Sequence, residues 1–271
     1  MIEKKGKYVW IIGSALSVIV LLCLIGPFFA PNDPLETNLA NVLLPPNAQY
    51  PLGTDQVGRC ILSRLLYGAR VSIGLTLLML TLVSVIGFVI GLIAATRGKW
   101  LDATLMRVAD MALAFPEIIF VIAVVGMLGP GVLNMVLALS LIWWTKYARL
   151  TRMLVMRYKN APFVEAGRMA GASKWQLMRR YIFPNIASPL VVQYMLDIGG
   201  MMLTIASLSF LGLGVQAPTP EWGSMLSEGR TYIQTAPWLL YYPGIAIFIV
   251  VIIFNLLGDK IRDWLDPKFT K

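Results

Sequence analysis

Apolar runs of about twenty residues recur along this chain, and they restrict its fold more than any other feature. Such a run crosses a bilayer as a helix, because lipid offers no partner to an unpaired backbone N–H or C=O. Six spans are read, at about 8–30, 71–95, 109–128, 132–144, 186–213 and 239–257. Charged residues make up 14% of the 271 positions, against about 25% in soluble domains. The expectation is an all-α membrane protein with six transmembrane helices in one bundle. The first run follows Lys4, Lys5 and Lys7 and is too long for a cleaved signal peptide, so it is read as a retained span. Gly87 and Gly91 set a small-residue pair one turn apart in the second span, where a neighbouring helix can approach. Pro116 should kink the third.

Charge sets the expected orientation. Six spans put both termini on one side, and nineteen of the 23 Lys and Arg residues fall on that side. Arg59, Arg64, Arg70 and Arg230 fall on the other. Basic residues concentrate in the cytoplasm, so the N- and C-termini are expected there. The net charge of +9 therefore reads as topology and calls for no nucleic acid. The chain has no histidine, which disfavours histidine proton relays, Ser/His/Asp sets and histidine-based metal sites. No Gly-rich loop of the G-x-x-x-x-G-K-[ST] kind is present, so the chain is expected to bind neither ATP nor another cofactor. Nothing points to an enzyme.

The polar stretch 160–185, between the fourth and fifth spans, carries ordered local signals. Asn160 and Pro162 suit a helix start, and Glu165 sits in its first turn at the favourable end of the dipole. Gly171 is a natural stop. Ser173 and Gln176 have the spacing of a capping box, so a second short helix begins there. Pro184 is expected to mark its boundary with the next span. The residues Glu165, Ala166, Gly171 and Pro184 resemble, in register, the EAA loop of ABC-importer permeases. Gly167 stands for the second alanine of that motif, Tyr181 for an isoleucine and Phe183 for a leucine. The resemblance implies a coupling helix that docks on an ATP-hydrolysing subunit, with Glu165, Ala166, Gly167, Gly171, Ala172, Ser173 and Pro184 at the contact.

Three further phrases carry the same resemblance. Leu52, Gly53, Thr54, Asp55, Gly58, Arg59, Ser63, Arg64, Leu65, Gly68, Arg70 and Ser72 resemble a stretch of the C-type permease subunit of peptide and nickel importers. Cys60 replaces an aspartate of that stretch. From Ile61, the apolar positions 61, 62, 65 and 66 read as a short surface helix preceding the second span. The phrase from Ser209 to Gly214, followed by Pro218, Thr219, Glu221, Trp222 and Gly223, is the second match. There Thr219 is expected to cap a helix with Pro220 at its first position and Trp222, Met225, Leu226 and Ile233 on its apolar side. Gly258, Asp259, Arg262, Asp263, Asp266 and Pro267 resemble the family's C-terminal ending.

The fifth span places Gln193, Asp197, Gly200, Thr204 and Ser207 at spacings of 4, 3, 4 and 3, on one helical seam. An acid at membrane depth costs about 2.5–3.5 kcal/mol on insertion scales, so Asp197 should face protein or water. The seam reads either as helix packing or as a wall of the translocation path. Asp110 and Glu117 read as an interfacial pair balancing Arg107.

The resemblance implies a type I ABC-importer permease fold in the bacterial inner membrane. Residues 1–70 would form the first span and an extracytoplasmic loop, and 71–271 a five-helix core holding the coupling loop. Implied partners are a homologous B-type permease, two ATP-binding subunits carrying ATP and Mg, and a solute-binding protein. The solute would be a nickel or metal–metallophore complex, or a di- or oligopeptide. The phrase Leu196 to Met202 is more similar to the nickel and metallophore branch. The alternative is an ion-coupled secondary transporter using Asp197, Asp110 or Glu117.

Overall fold

The computed structural model describes Ser14 and residues 25–265. The first expected span lies outside the described residues except for its end, as do Cys23, Asp266 and Pro267. Eight helices follow in order: α1 Ile61–Thr96, α2 Lys99–Leu113, α3 Glu117–Leu128, α4 Val132–Tyr158, α5 Pro162–Met169, α6 Lys174–Phe210, α7 Trp222–Gly229 and α8 Trp238–Leu265. Apart from one β-bridge between Thr54 and Cys60, regular structure among the described residues is helical. By length and composition α1, α6 and α8 can each cross a membrane. The bent pair α2–α3 makes a fourth if taken as one span. Helix α4 is 27 residues long, but its second half carries Lys146, Arg149, Arg152 and Arg157.

Three expectations about boundaries are revised. No surface helix is separate from the second span: Ile61 to Thr96 is one helix of 36 residues. Its polar residues Ser63 and Arg64 are buried at 0% and 1% exposure. At Pro116 the chain turns by 87° between α2 and α3 instead of kinking, because proline lacks the N–H and disfavours helix in the residue before it. Pro184 ends nothing. Residues Leu177–Ile182 form π-helical turns that run into the α-helix Phe183–Phe210, and Phe183 donates its N–H to the Met178 carbonyl. The widened turns next to the proline let the helix continue where an ordinary α-turn would miss a donor.

Helices α1 and α4 pack along the two glycines. A Cβ on Gly87 would collide with the Trp144 carbonyl and Tyr147, and one on Gly91 with the Ala148 carbonyl. The backbones thus approach without side chains between them. Around this contact Met79, Leu80 and Val83 of α1 meet Val121 and Val125 of α3, Met135 and Leu139 of α4, and Met201 and Ile205 of α6. A second core lies beneath the 160–185 stretch, where Val164 of α5 joins Leu154, Val155, Leu177, Ile182 and Ile186.

Candidate functional site

The 160–185 stretch folds as its local signals require. Pro162 opens α5, Glu165 lies in its first turn, and Gly171 ends it at φ +81°. Ser173 Oγ then accepts from Gln176 N at 3.3 Å while Gln176 Oε1 accepts from Ser173 N at 2.8 Å, a complete capping box. Val164 and Gly167 face inward. Gly167 is packed so closely that a Cβ there would lie 2.9 Å from Tyr181 Cζ. Both residues depart from the EAA pattern, and they touch: the tyrosine ring fills the space left by the missing methyl. The outward surface is mixed: Met169 is 83% exposed, Trp175 69% and Phe163 39%, among the exposed Arg168, Lys174, Arg179 and Arg180. Glu165 pairs only with Arg168, at 3.0 Å on the surface.

The seam on α6 divides. Asp197 is 6% exposed and turned onto α4. Its Oδ1 accepts from Lys146 Nζ at 2.6 Å and from Gln193 Nε2 at 3.0 Å, and its Oδ2 accepts from the Tyr147 hydroxyl at 3.0 Å. Three donors and one full counter-charge offset the cost of burying this acid. Gly200 lies under Trp143, whose Cη2 is 3.9 Å from where a Cβ would stand. Ser207 bonds back to the Leu203 carbonyl and lines a groove of about 410 Å³ with Ile118, Phe210, Leu211 and Ile247. Thr204 is half-buried between them.

Asp110 and Glu117 are not a pair with Arg107. Asp110 accepts from Arg149 Nη2, and Glu117 Oε1 accepts from the Trp143 indole N–H at 2.8 Å. Glu117, Trp143, Lys146 and Gly200 thus join on one face formed by α3, α4 and α6. Among the described residues no group of three or more His, Cys, Asp and Glu is placed to hold a metal ion.

Sequence reasoning missed a buried ionic cluster on the other side of the bundle. Arg59 donates to Asp55 Oδ2 at 2.6 Å and to Glu228 Oε2 at 2.6 Å, and Arg64 reaches the same Glu228 oxygen at 3.1 Å. Nearby, Glu221, not Thr219, caps α7: its carboxylate accepts from Gly223 N, Ser224 N and the Ser72 hydroxyl. Burial pushes that carboxyl above its usual range, against the pull of these donors. Trp222 donates to the Leu65 carbonyl at 3.0 Å and fills the gap left by Gly68. Ile233 is 56% exposed and lies off the apolar side of α7. Phrases 52–72 and 209–228 are therefore two halves of one contact, and their shared resemblance was the available signal. Cys60 sits at the N-cap of α1 with no side-chain cap bond, where an aspartate would accept one.

Long apolar helices able to cross a membrane, carrying a helix–glycine–helix loop, define an all-helical membrane protein. Residues 87–271 match the family described as binding-protein-dependent transport system inner membrane component, and 4–46 match the N-terminal transmembrane domain of oligopeptide transport permease C. The chain belongs to this family of ABC-importer inner-membrane permeases. It is 44% identical to the nickel transport system permease protein NikC of Escherichia coli K12, over 95% of this chain and 94% of that one. It is 42% identical to the dipeptide transport system permease protein DppC of Haemophilus influenzae, over 98% and 92%. Among solved structures, an inward-facing MetNI methionine ABC transporter superposes with a TM-score of 0.54 at 19% identity, covering 72% of this chain and 94% of that one. That likeness concerns the fold.

Proposed function

We propose that the chain is one of two permease halves of an ATP-driven importer. It pairs with a homologous B-type permease, two cytoplasmic ATP-binding subunits and an extracytoplasmic solute-binding protein. ATP and Mg bind on those subunits, and this chain supplies a wall of the path and one coupling helix. The observation that carries the reading is the 160–185 loop. It is fastened from below by Val164, Leu177, Ile182 and Ile186, and it offers Phe163, Met169 and Trp175 outward. Large apolar side chains exposed among basic ones, on a well-packed base, suit a protein contact. Glu165, Ala166, Gly171, Ala172 and Ser173 frame it. The solute is a nickel or metal–metallophore complex or a small peptide, in keeping with the relatives named for nickel and for dipeptides.

An ion-coupled transporter would need a carboxyl free to take up and release its ion. Asp197 is held by Lys146 and Asp110 by Arg149, while Glu117 has only the Trp143 indole on one oxygen; what favours the ATP-driven reading is the 160–185 loop, for which an ion-coupled transporter has no use. Uptake by cells expressing the complete transporter should persist when a protonophore collapses the membrane potential but ATP is maintained. It should stop when ATP is depleted and the potential kept. The reverse pattern would replace this reading with ion coupling.

Both termini are placed in the cytoplasm on the balance of basic residues. With Cys23 and Cys60 changed to serine, Thr270→Cys should react with an impermeant maleimide only from the cytoplasm. Ala48→Cys should react only from outside. Labelling of both from one side would reject the orientation.

A further inference from the structure

Helix α5 rests on the start of α6 through a close contact. Gly167 lies on the buried side of α5, and Tyr181 stands on the π-helical turns Leu177–Ile182 of α6. A Cβ on Gly167 would lie 2.9 Å from Tyr181 Cζ and 3.2 Å from its Cε1. Leu177 Cδ2, at 3.1 Å, is the free end of a flexible side chain and can turn aside. The tyrosine ring is less free. It is half-buried on the core that Val164, Leu177, Ile182 and Ile186 form. The Tyr181 carbonyl accepts from Asn185 Nδ2 at 2.6 Å, which ties this residue to the chain just beyond Pro184.

The backbone at Gly167 is right-handed helix, so its conformation does not call for glycine, unlike that of Gly171 at φ +81°. Glycine is also a poorer helix former than alanine. What calls for it is space, because the ring stands where a methyl group would. We infer that Tyr181 is the positioning residue of the coupling helix. Its ring, seated on Gly167, sets how closely α5 lies over the head of α6 and passes a displacement of α5 into the span. The two residues form a fitted pair. A methyl group at 167 with the ring in place forces α5 off its seat. A shorter side chain at 181 with glycine in place leaves a void beneath α5. Both changes together refill the space. The inference rests on the permease reading, in which an ATP-binding subunit moves α5. It names the contact through which that movement reaches the membrane.

The test is a double-mutant cycle in the complete transporter, with Gly167→Ala, Tyr181→Ile and the two combined. Three quantities are measured: membrane-inserted yield, retention of the ATP-binding subunits on purification, and ATP-dependent uptake of labelled Ala-Ala or nickel–L-histidine, whichever the wild type imports. Each single variant should lose about tenfold in uptake per inserted molecule. The combined variant should return to within about twofold of wild type, a departure from additivity that only residues in contact show. Tyr181→Phe keeps the ring and should behave as wild type. It also keeps the test open if Gly167→Ala fails to insert, because the comparison of Phe with Ile at 181 then decides. Losses that simply multiply in the combined variant, or an equal loss with Phe and Ile, overturn the fitted pair. Uptake that falls only in step with yield shows a contact that holds the fold alone, and it overturns the positioning role. Wild type that retains no ATP-binding subunit and imports neither probe would count against the permease reading itself.

Discussion

Alanine at Gly87 or Gly91 is expected to cut the yield of folded, membrane-inserted protein several-fold, whereas alanine at Gly74 leaves it intact. All three glycines lie on α1, so helix propensity alone would favour alanine at each by about 0.5–1 kcal/mol. They differ in what a methyl group meets. At Gly74 nothing lies within 4 Å. At Gly91 the methyl would run into the Ala148 carbonyl and come within 2.8 Å of Thr151 Cβ, and at Gly87 within 2.5 Å of Tyr147 Cβ. Backbone cannot rotate aside as a side chain can, so the whole α1–α4 pair must separate. Overpacking of this kind costs about 1–3 kcal/mol, and here it also disturbs Tyr147, one of the three side chains that hold Asp197. Detergent-extracted yield and thermal unfolding of the three variants give the answer. Equal behaviour at positions 74 and 91 would mean that the close approach is not what holds the bundle together.

Glu165→Arg should leave the chain inserted and stable but reduce uptake more than tenfold. The ion pair it breaks, with Arg168, is on the surface and contributes less than about 1 kcal/mol. The fold therefore has little to lose, and the effect should fall on whatever docks against α5. Gly171→Trp is the companion. Its side chain would project into open space within this chain, so a steric effect there must come from a partner. The φ of +81° adds strain of about 1–2 kcal/mol, which is why the two variants are read together. ATP hydrolysis in both should become independent of solute delivery. Normal uptake by Glu165→Arg would remove this loop from the coupling role.

Local chemistry was legible in the sequence; long-range partnership was not. Ser173 and Gln176 are three residues apart and cap each other as their spacing requires, and Gly171 turns the chain where only glycine does so without cost. The pairing of Glu117 with Trp143 depends on how α3 crosses α4, which no periodicity encodes. Arg64 illustrates the same gap. The apolar positions 61, 62, 65 and 66 around it suggested a surface helix, but its partner Glu228 lies 164 positions away and draws it into the interior. The spacing puts the seam on one side of α6, yet the width of that side hides a division. Asp197 turns toward Tyr147 while Gly200 and Ser207 remain open. A pattern of threes and fours resolves a side of a helix to about a quadrant, and that is too coarse to decide which neighbour a carboxylate meets.

The uninterrupted passage of α6 through Pro184 has a mechanical consequence. No flexible connector lies between the membrane-surface turn at Ser173 and the carboxylate at Asp197, so force applied to one end is delivered to the other as torque on a lever. The π-helical turns at Leu177–Ile182 change the hydrogen-bond pattern without breaking the helix. Asp197 lies about 20 Å beyond Pro184, so a tilt of about 10° there would swing it by about 3 Å. That is roughly the length of the hydrogen bonds binding it to Lys146, Tyr147 and Gln193, so a small rotation at the surface is enough to make or break them.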